Sequence, residues 1–571
     1  MQAHIDADDP GRAGGQPTGS AWSTLRTLLL DPATLLGFCI VVAYVSRIYG
    51  YQVTYTSDEA YWMQRTIQFG GALTRGDLSG TYRIGHPGVT VMWTGLAGIG
   101  PERLQRFDTP RYSSFSRLER DPQYLATLAN ARLAVILLAS VLVGAAIGLA
   151  WKLLGREAGL LGGVFLVLDP YTIGLTRLLH VDALLAPLMA VSALAGLVWW
   201  RGGHVGYLLL SAVVGGFALL TKAPAAFLPA FFGVAGLLLA QPWRGPARWL
   251  RGVGVWGTIA ALVYIAWWPA MWVDPIGTLS NVVTFVIREG GQPHNWSNYF
   301  LGQHVTEDPG LLFYPVSLLF RLSPLVLGGV LIALLAGWRR PGDRLVLAAL
   351  SLYAFGFMAF MTLGEKKFDR YMLPSILTLD LLAGLGAWLL IRRLRPVPAR
   401  YVAVIAVIAL QLWMVWSVQP YPIAFYNPLV GGAAAAERTL MLGWGEGLDQ
   451  VAHYLNAQPG SNRLIASTLY HHALRPLFRG QTQRIVASMS PDYFVVYVNM
   501  EQRQLVPAGI RRLIQDRPPE WTAQVNGFDY AHIYRLPRGV PVNAPGVAPE
   551  LLPTDGEPEV EPELEDEGND E

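Results

Sequence analysis

Cysteine is almost absent from this sequence. Among 571 residues only Cys39 carries a thiol, and it lies within a long apolar run. A single cysteine excludes an intrachain disulfide and a cysteine-based metal cluster. The sequence therefore does not indicate the redox compartment of the protein.

Charged residues are also scarce. They make up 15% of the chain, whereas hydrophobic residues make up 52%, and 19 of the residues are tryptophan. An ordinary soluble protein of this length needs more polar surface than that. The composition therefore predicts a polytopic membrane protein.

The acidic residues are unevenly distributed. Residues 541–571 hold 11 of the 41 acids and contain no Lys or Arg. This tail is rich in Pro and Glu and nearly free of aromatic residues, a composition typical of disorder. We expect a disordered acidic tail without a functional site.

The apolar residues form long runs. A bilayer core of about 30 Å requires about 20 apolar residues per helical crossing, and eleven segments fit this template. The predicted spans are 33–51, 127–150, 158–174, 182–200, 206–222, 224–241, 253–272, 322–338, 345–363, 371–391 and 401–419. A long polar segment precedes the first span and no small-residue cleavage site follows it, which argues against a cleaved signal peptide.

Lys and Arg collect in alternate short loops, and this pattern predicts the orientation in the membrane. The basic residues of the predicted inner segments are Lys152, Arg156, Arg201, Arg244, Arg248, Arg251, Arg339, Arg340, Arg344, Arg392, Arg393, Arg395 and Arg400. We expect a cytoplasmic N-terminal segment, 1–32, and a transmembrane domain, 33–419, with long outer loops at 52–126 and 273–321. Long structured loops tend to carry function, so the working face is predicted to be extracytoplasmic.

The chain changes character after residue 420. Short β-rich runs, "RLIAST", "RIVAS" and "YFVVYV", alternate with stretches predicted as helices at 437–456 and 470–478. This pattern predicts a small extracytoplasmic α/β domain over 420–540. Its His471 and His472 are expected to be solvated or core histidines.

Two features of the outer face follow from the sequence pattern. Residues 58–69 and 112–125 of the first outer loop are predicted to form helices that lie along the membrane interface. Trp267, Trp268 and Trp272 fit an aromatic belt at the outer boundary.

The first outer loop begins with an adjacent pair of acids, Asp58 and Glu59, in "SDEAYW". One interpretation is structural: Ser57 caps a helix and both carboxylates favour the positive end of its dipole. The other is functional: one carboxylate is a general base at a membrane-facing cleft. Both interpretations are compatible, because a helix start also holds a carboxylate rigidly.

Further ionisable residues fall near the outer ends of the predicted spans. They are Arg132, Asp182, Lys222, Lys366, Lys367 and Arg370. Any one of them is explained by snorkelling to the headgroups. Charges at such depths also face protein interiors or wet cavities, and as a set they indicate a cavity that holds a lipid phosphate beside a base.

Several motifs occur in a characteristic order along residues 33–450. They are "SDEAYW", "HPG" at His86, "RLLHVDALL", "LLTKAP", "GEKKFDRYMLP", and "YNPLVGG" with "GWGEGL". This series resembles the protein O-mannosyltransferase and aminoarabinose transferase superfamily of type C (GT-C) membrane glycosyltransferases, which use polyprenyl-phosphate sugars. The resemblance implies a polytopic α-helical GT-C fold.

The resemblance also implies roles for individual residues. Asp58 matches the catalytic base and Glu59 a residue that orients the acceptor, while Asp182 matches a second acidic position. The positions that match donor-phosphate-binding residues are Arg132, Lys222, Lys367, Arg370 and Tyr371. His86 and Lys366 are further candidates, although His86 is equally explained as a turn residue before Pro87, and His180 is a weaker one.

The implied reaction is one inverting displacement that transfers a hexosyl or pentosyl group to a lipid, glycan or protein acceptor. A lipid phosphate is a good leaving group, so the protein mainly aligns the reactants and stabilises charge on the phosphate. The predicted outer loops contain no DxD element of the kind that holds a metal with a nucleotide diphosphate. Two acids and a phosphate can still hold a divalent ion, so metal dependence stays open. No nucleic-acid partner is expected.

Two other classes of function compete with a transferase. A polytopic transporter or lipid flippase predicts interrupted helices and polar residues at the membrane midplane. A non-catalytic scaffold predicts that the acid pair is dispensable. Neither the sugar, the polyprenyl chain nor the acceptor follows from the residues.

Overall fold

The computed structural model describes residues 31–240, 246–294, 296–339, 344–484 and 490–537. Most of these residues are helical. The N-terminal half contains the helices Pro32–Ile48, Ser57–Arg75, Val89–Ile99, Pro101–Phe107, Phe115–Glu119, Tyr124–Leu154, Arg156–Val167, Pro170–Thr176, Val181–Trp200, Val205–Thr221, Phe227–Ala240, Pro246–Ala266, Ala270–Val273 and Pro275–Gly290. They are followed by Phe313–Arg321, Pro324–Gly337, Arg344–Thr362, Leu373–Ile391, Val397–Ser417, Gly432–Glu437, Leu448–Asn456, His471–Leu474, Val498–Gln502 and Ala508–Ile514.

Each of the eleven predicted spans coincides with helical structure. Within the described ranges, six helices are long and apolar enough to cross a membrane, or eight if each of two bent helix pairs is one span. The three other predicted spans correspond to the shorter apolar helices Pro32–Ile48, Val205–Thr221 and Ala223–Leu239. The protein is thus a multi-pass membrane protein, and the number of eleven crossings stays a prediction.

Two pairs of consecutive helices are sharply bent, and in each pair the second helix begins with a proline. Arg156–Val167 and Pro170–Thr176 meet at 62°, and Phe313–Arg321 and Pro324–Gly337 meet at 117°. Pro170 and Pro324 each occupy the first turn of the second helix, where a missing N–H costs nothing. The side chain before each proline caps the new helix: Asp169 accepts from the backbone of Thr172, and Ser323 from that of Val326.

Small residues bring the central helices together. A Cβ built on Gly384 would lie 2.1 Å from the backbone nitrogen of Gly162, and one on Gly386 would lie 1.8 Å from the carbonyl oxygen of Gly329. Such close backbone contact is typical of helix packing in membranes. This contact fixes the helix Leu373–Ile391. A 3₁₀ turn, Asp369–Met372, immediately precedes that helix.

The first outer loop folds partly as predicted. The helix expected at 58–69 is confirmed and extends over Ser57–Arg75, with Thr56 rather than Ser57 as its N-cap. The prediction of a helix over 112–125 is wrong. Only Phe115–Glu119 is α-helical there before the next helix begins at Tyr124. Pro122 lacks an N–H and disfavours helical geometry at the residue before it, so the chain turns there.

The three tryptophans of the predicted aromatic belt differ in exposure. Trp267 and Trp272 are 46% and 56% exposed, and their place in an aromatic belt stays a prediction. Trp268 is buried instead, and its indole N–H donates to the carbonyl of Thr81 in the first outer loop.

The C-terminal part forms a small sheet domain, as predicted. A two-stranded ribbon, β1 (Asn298–Phe300) and β2 (Gln303–Val305), belongs to the second long outer loop. The five-stranded sheet contains β3 (Ile465–Ser467), β4 (Gln481–Gln483), β5 (Tyr493–Tyr497), β6 (Trp521–Val525) and β7 (Phe528–Arg535) in the order β4-β3-β5-β7-β6. β3 pairs in parallel with β4 and β5, whereas β7 pairs antiparallel with β5 and β6.

The helices of this domain are shorter than predicted. Only Leu448–Asn456 and His471–Leu474 are helical within the stretches expected at 437–456 and 470–478. Gly443, Gly445 and Gly447 all have positive φ, which interrupts the first stretch. Most of "RIVAS" and the whole tail 541–571 lie outside the described residues.

Candidate active site

A cavity of about 330 Å³ lies where the outer loops, the 366–371 segment and the C-terminal domain meet. Polar and charged side chains line most of it. Those from the membrane domain and its loops are Ser57, Asp58, Tyr61, Arg65, His86, His180, Lys222, Glu289, His294, Lys366, Arg370 and Tyr371. Cations outnumber carboxylates in this set, so the cavity suits an anionic ligand.

Asp58 is the carboxylate that faces the cavity. Its side chain is 37% exposed, and His180 Nε2 lies 3.5 Å from its Oδ2. Burial alone would raise its pKa, but hydrogen bonds from His180 and Trp444 and the positive charge of Arg370 outweigh burial. The pKa of Asp58 is therefore held well below the ordinary value, and the group is ionised at neutral pH.

The local structure fixes which nitrogen of His180 carries a proton. His180 is the N-cap of the helix Val181–Trp200, and its Nδ1 accepts the backbone N–H of Asp182 at 3.2 Å. Because Nδ1 is an acceptor, the proton of the neutral ring sits on Nε2 and points to Asp58. The ring is further held edge-on by Trp444, with centroids 4.9 Å apart.

Asp182 lies behind the cavity wall and binds its cations. Lys222 Nζ lies 2.8 Å from Asp182 Oδ1, and Arg370 Nε lies 3.5 Å from Oδ2. Asp182 is 3% exposed and is not among the residues that line the cavity. Lys222 Nζ also sits 4.2 Å from the ring centre of Tyr371.

Arg370 is the central cation of the site. Its guanidinium is held by the rings of Phe368 and Trp444, with centroid distances of 4.1 and 4.3 Å. Arg370 Nη2 lies 3.7 Å from Asp58 Oδ2. The group therefore touches both carboxylates of the site while its plane is fixed by aromatic contacts.

The two adjacent lysines have different surroundings. Lys366 lines the cavity and its Nζ lies 2.7 Å from Glu289 Oε2. Lys367, the predicted phosphate-binding residue, is fully buried outside the lining and pairs with Asp308. Because its side chain is fully buried and lies outside the cavity lining, this placement does not support a phosphate-binding role for Lys367.

Glu59 and Arg132 are also withdrawn from the cavity. Both side chains are 1% exposed, and Arg132 Nε donates to Glu59 Oε1 at 2.7 Å. Glu59 further accepts the backbone N–H of Leu179 at 2.9 Å and that of Thr56 at 3.2 Å. The two residues form a buried ion pair that ties the start of the Asp58 helix to the residue before His180, and neither lines the cavity. Their roles at the acceptor and at the donor stay predictions.

His86 lines the cavity, which agrees with its interpretation as a site residue; its other interpretation is a turn residue before Pro87. Its ring lies edge-on to Phe285, with centroids 4.8 Å apart, and its buried Nδ1 has no hydrogen-bond partner among the described residues. Burial and the nearby Lys222 and Lys366 lower the pKa of His86 well below its ordinary value. The ring is therefore neutral.

The C-terminal domain supplies a wall that sequence reasoning missed. Its cavity-lining residues include Trp444, Tyr470, His471, His472, Arg484 and Arg503. His471 and His472 are thus cavity residues and not merely solvated or core histidines. Only Trp444 carried a signal, because it lies within the quoted motif "GWGEGL"; the others belong to segments without a recognisable pattern.

Asp58 and Asp182 lie beside Arg370, Lys222 and His180. Among the residues that the structure describes, no group of three or more His, Cys, Asp and Glu side chains is placed to hold a metal ion.

The fold and this cavity define a class of protein: a membrane protein with a GT-C glycosyltransferase fold. Residues 126–272 match the family described as "Dolichyl-phosphate-mannose-protein mannosyltransferase". The solved structure of ArnT from Cupriavidus metallidurans in the apo state covers 90% of this chain and 98% of its own, with 13% identity and a TM-score of 0.50. These two matches confirm the resemblance to the protein O-mannosyltransferase and aminoarabinose transferase superfamily.

Other solved structures are similar at lower scores. ArnT from the same organism bound to undecaprenyl phosphate is 14% identical, covers 88% of this chain and 97% of its own, and has a TM-score of 0.48. The Archaeoglobus fulgidus oligosaccharyltransferase tethered with an acceptor peptide is 12% identical, covers 83% and 70%, and has a TM-score of 0.43. No curated protein sequence matches the chain.

Proposed function

We propose that this protein is an integral membrane glycosyltransferase that moves a sugar from a polyprenyl-phosphate-linked donor to an acceptor at the extracytoplasmic face. The observation that carries the proposal is the cavity itself. It places one ionised carboxylate, Asp58, beside the cations Lys222, Lys366 and Arg370. The family match, whose description includes a dolichyl-phosphate sugar, supports a polyprenyl-phosphate donor.

The cations bind the donor phosphate. A phosphodiester carries one negative charge, and a second develops on the leaving phosphate as the bond to the sugar breaks. Lys222 and Arg370 are held in place by Asp182, and Arg370 is also fixed between Phe368 and Trp444. Preorganised cations of this kind stabilise developing charge without reorganisation during the reaction.

Asp58 is the general base. The acceptor nucleophile gives its proton to an Asp58 oxygen and attacks the anomeric carbon, while the bond from that carbon to the phosphate oxygen breaks. One such displacement inverts the anomeric centre. His180 Nε2–H orients the carboxylate throughout, because its own position is fixed by the Asp182 backbone.

The donor also adjusts the strength of this base. In the structure the charge of Arg370 contributes to the low pKa of Asp58. A donor phosphate that binds Arg370 shares this charge and adds a negative charge nearby, and both effects raise the pKa of Asp58. The carboxylate therefore becomes a better base when the donor is present.

A transporter or lipid flippase is the second candidate, because the structure contains the two bent helix pairs that such a function expects. One experiment distinguishes a transferase from a transporter. Purified protein is incubated with a panel of polyprenyl-phosphate sugars and a detergent extract of cell membranes that supplies acceptors, and released polyprenyl phosphate is measured. A transferase releases it; a transporter moves the intact donor across a vesicle membrane without release. Silence across the whole panel would contradict the donor assignment.

A further inference from the structure

The cavity is complete only when the C-terminal domain lies against the first outer loop. On one side is the helix Ser57–Arg75, with Asp58 and, one turn later, Tyr61. On the other side are Tyr470, His471 and His472 of the C-terminal domain. The position of the second wall relative to the base therefore depends on contacts between segments more than 300 residues apart.

A buried carboxylate in the first outer loop makes these contacts. Glu119 ends the short helix Phe115–Glu119, and its side chain is 0% exposed. His472 Nδ1 lies 2.7 Å from Glu119 Oε1, and Arg475 Nη1 donates to Oε2 at 2.7 Å. Both carboxylate oxygens are thus committed to the C-terminal domain.

Further contacts connect the Glu119 partners to strand β4 on one side and to the helix Ser57–Arg75 on the other. Arg475 Nε donates to Thr482 Oγ1 at 3.2 Å, which connects the pair to strand β4. On the cavity side, the His472 ring lies 4.8 Å from that of Phe115 and 5.2 Å from that of Tyr61. Tyr61 is one helical turn from Asp58, so His472 bridges the Glu119 cluster and the helix that carries the base.

We propose that Glu119 is a positioning residue that docks the C-terminal domain onto the first outer loop and thereby closes the cavity beside Asp58. It does not touch substrate; it acts through His472 and Arg475. Burial raises the pKa of Glu119 to about 8 although Arg475 opposes the shift. A buried polar group of this kind is costly unless it is paired, and here both partners come from the other side of the cavity. The consequence for turnover rests on the proposed function, whereas docking itself does not.

The test is hydrogen exchange of the full-length protein in detergent, comparing wild type with Glu119→Gln and Arg475→Gln. Both variants are expected to lose at least about tenfold protection in residues 465–483, while the central strands β5 and β7 keep theirs. The matched control is Asp121→Asn. Asp121 lies two residues away in the same loop and binds Arg106 and Tyr112, both within that loop. It is expected to leave residues 465–483 unchanged.

Two functional measurements accompany the exchange data. Affinity for undecaprenyl phosphate should change less than about twofold in Glu119→Gln, because none of the cations around Asp58 contacts Glu119. Release of polyprenyl phosphate from polyprenyl-phosphate mannose should fall at least about fivefold. If wild type releases nothing from any donor, the proposed function fails, but the exchange result still stands.

Either of two exchange results would overturn the docking role. Wild-type protection in both variants would show that Glu119 holds nothing across the cavity. Loss of protection throughout the chain in both variants would show that the pair supports the whole fold and not the docking of one domain.

Discussion

At the residue scale, the adjacent acids of "SDEAYW" have opposite surroundings. In a helix of 3.6 residues per turn, neighbouring side chains point about 100° apart, so Asp58 faces the cavity while Glu59 faces the interior. The sequence predicted that an acid pair begins a helix at a working face. It did not predict that Glu59 turns away from the cavity, because Arg132, with which Glu59 forms an ion pair, is 73 residues away.

Glu59→Gln is expected to reduce stability and to leave phosphate binding intact. The substitution leaves the buried Arg132 without its counter-charge, and breaking a buried pair in this way costs about 3–5 kcal/mol. Thermal unfolding in detergent measures the loss. Wild-type stability together with weakened binding of undecaprenyl phosphate would instead place Glu59 or Arg132 at the ligand.

The adjacent lysines provide a second contrast at this scale. Lys366→Gln is expected to weaken binding of undecaprenyl phosphate by about tenfold, because an ammonium group that lines the cavity is lost. Lys367→Gln is the matched control: its ammonium group pairs with Asp308 outside the cavity lining, so affinity should stay within about twofold of wild type. Titration with the lipid phosphate measures both. Equal losses would contradict the assignment of Lys366 to the ligand.

At the element scale, apolar length predicted the location of helices well and their ends less well. The spans follow from burial in lipid, which acts on long stretches. The ends depend on single residues. Pro122 stops the helix expected at 112–125, and Pro170 and Pro324 each begin a new helix after a sharp bend. The loop 443–447 was missed as a structural element because its shape depends on contacts with Tyr55 and Tyr497, both distant in sequence.

Gly445→Ala tests whether this loop positions Trp444 against Asp58. Gly445 has φ of 124°, and a Cβ there would lie 2.1 Å from the carbonyl oxygen of Tyr55. The loop must shift, so release of polyprenyl phosphate should fall at least about tenfold. Gly460→Ala is the control, since Gly460 also has positive φ but open space around it. Similar losses in both variants would mean that backbone strain alone, and not the position of Trp444, reduces turnover.

At the scale of the whole molecule, the working cavity lies between a membrane domain and a sheet domain that are distant in sequence. The resemblance in ordered motifs predicted the fold and most of the cavity residues that the membrane domain contributes. It did not predict the wall made by His471, His472, Arg484 and Arg503, because these residues reach the cavity only through docking of the C-terminal domain.

The orientation of the molecule is testable by labelling. In a Cys39→Ser background, Asn462→Cys and Arg393→Cys each add one thiol at an exposed position. A membrane-impermeant maleimide should label Asn462→Cys in intact cells and Arg393→Cys only after permeabilisation, because basic loops stay cytoplasmic. The reverse pattern would place the cavity on the cytoplasmic face.

The central claim is that Asp58 is the base of a polyprenyl-phosphate-dependent transfer. The most direct measurement compares release of polyprenyl phosphate by wild type and by Asp58→Asn, with Glu59→Gln as a second variant. Binding of undecaprenyl phosphate is the control that each variant is folded. We expect Asp58→Asn to lower the rate by about 10²–10⁴-fold while still binding the lipid phosphate. A wild-type rate in Asp58→Asn would contradict the account.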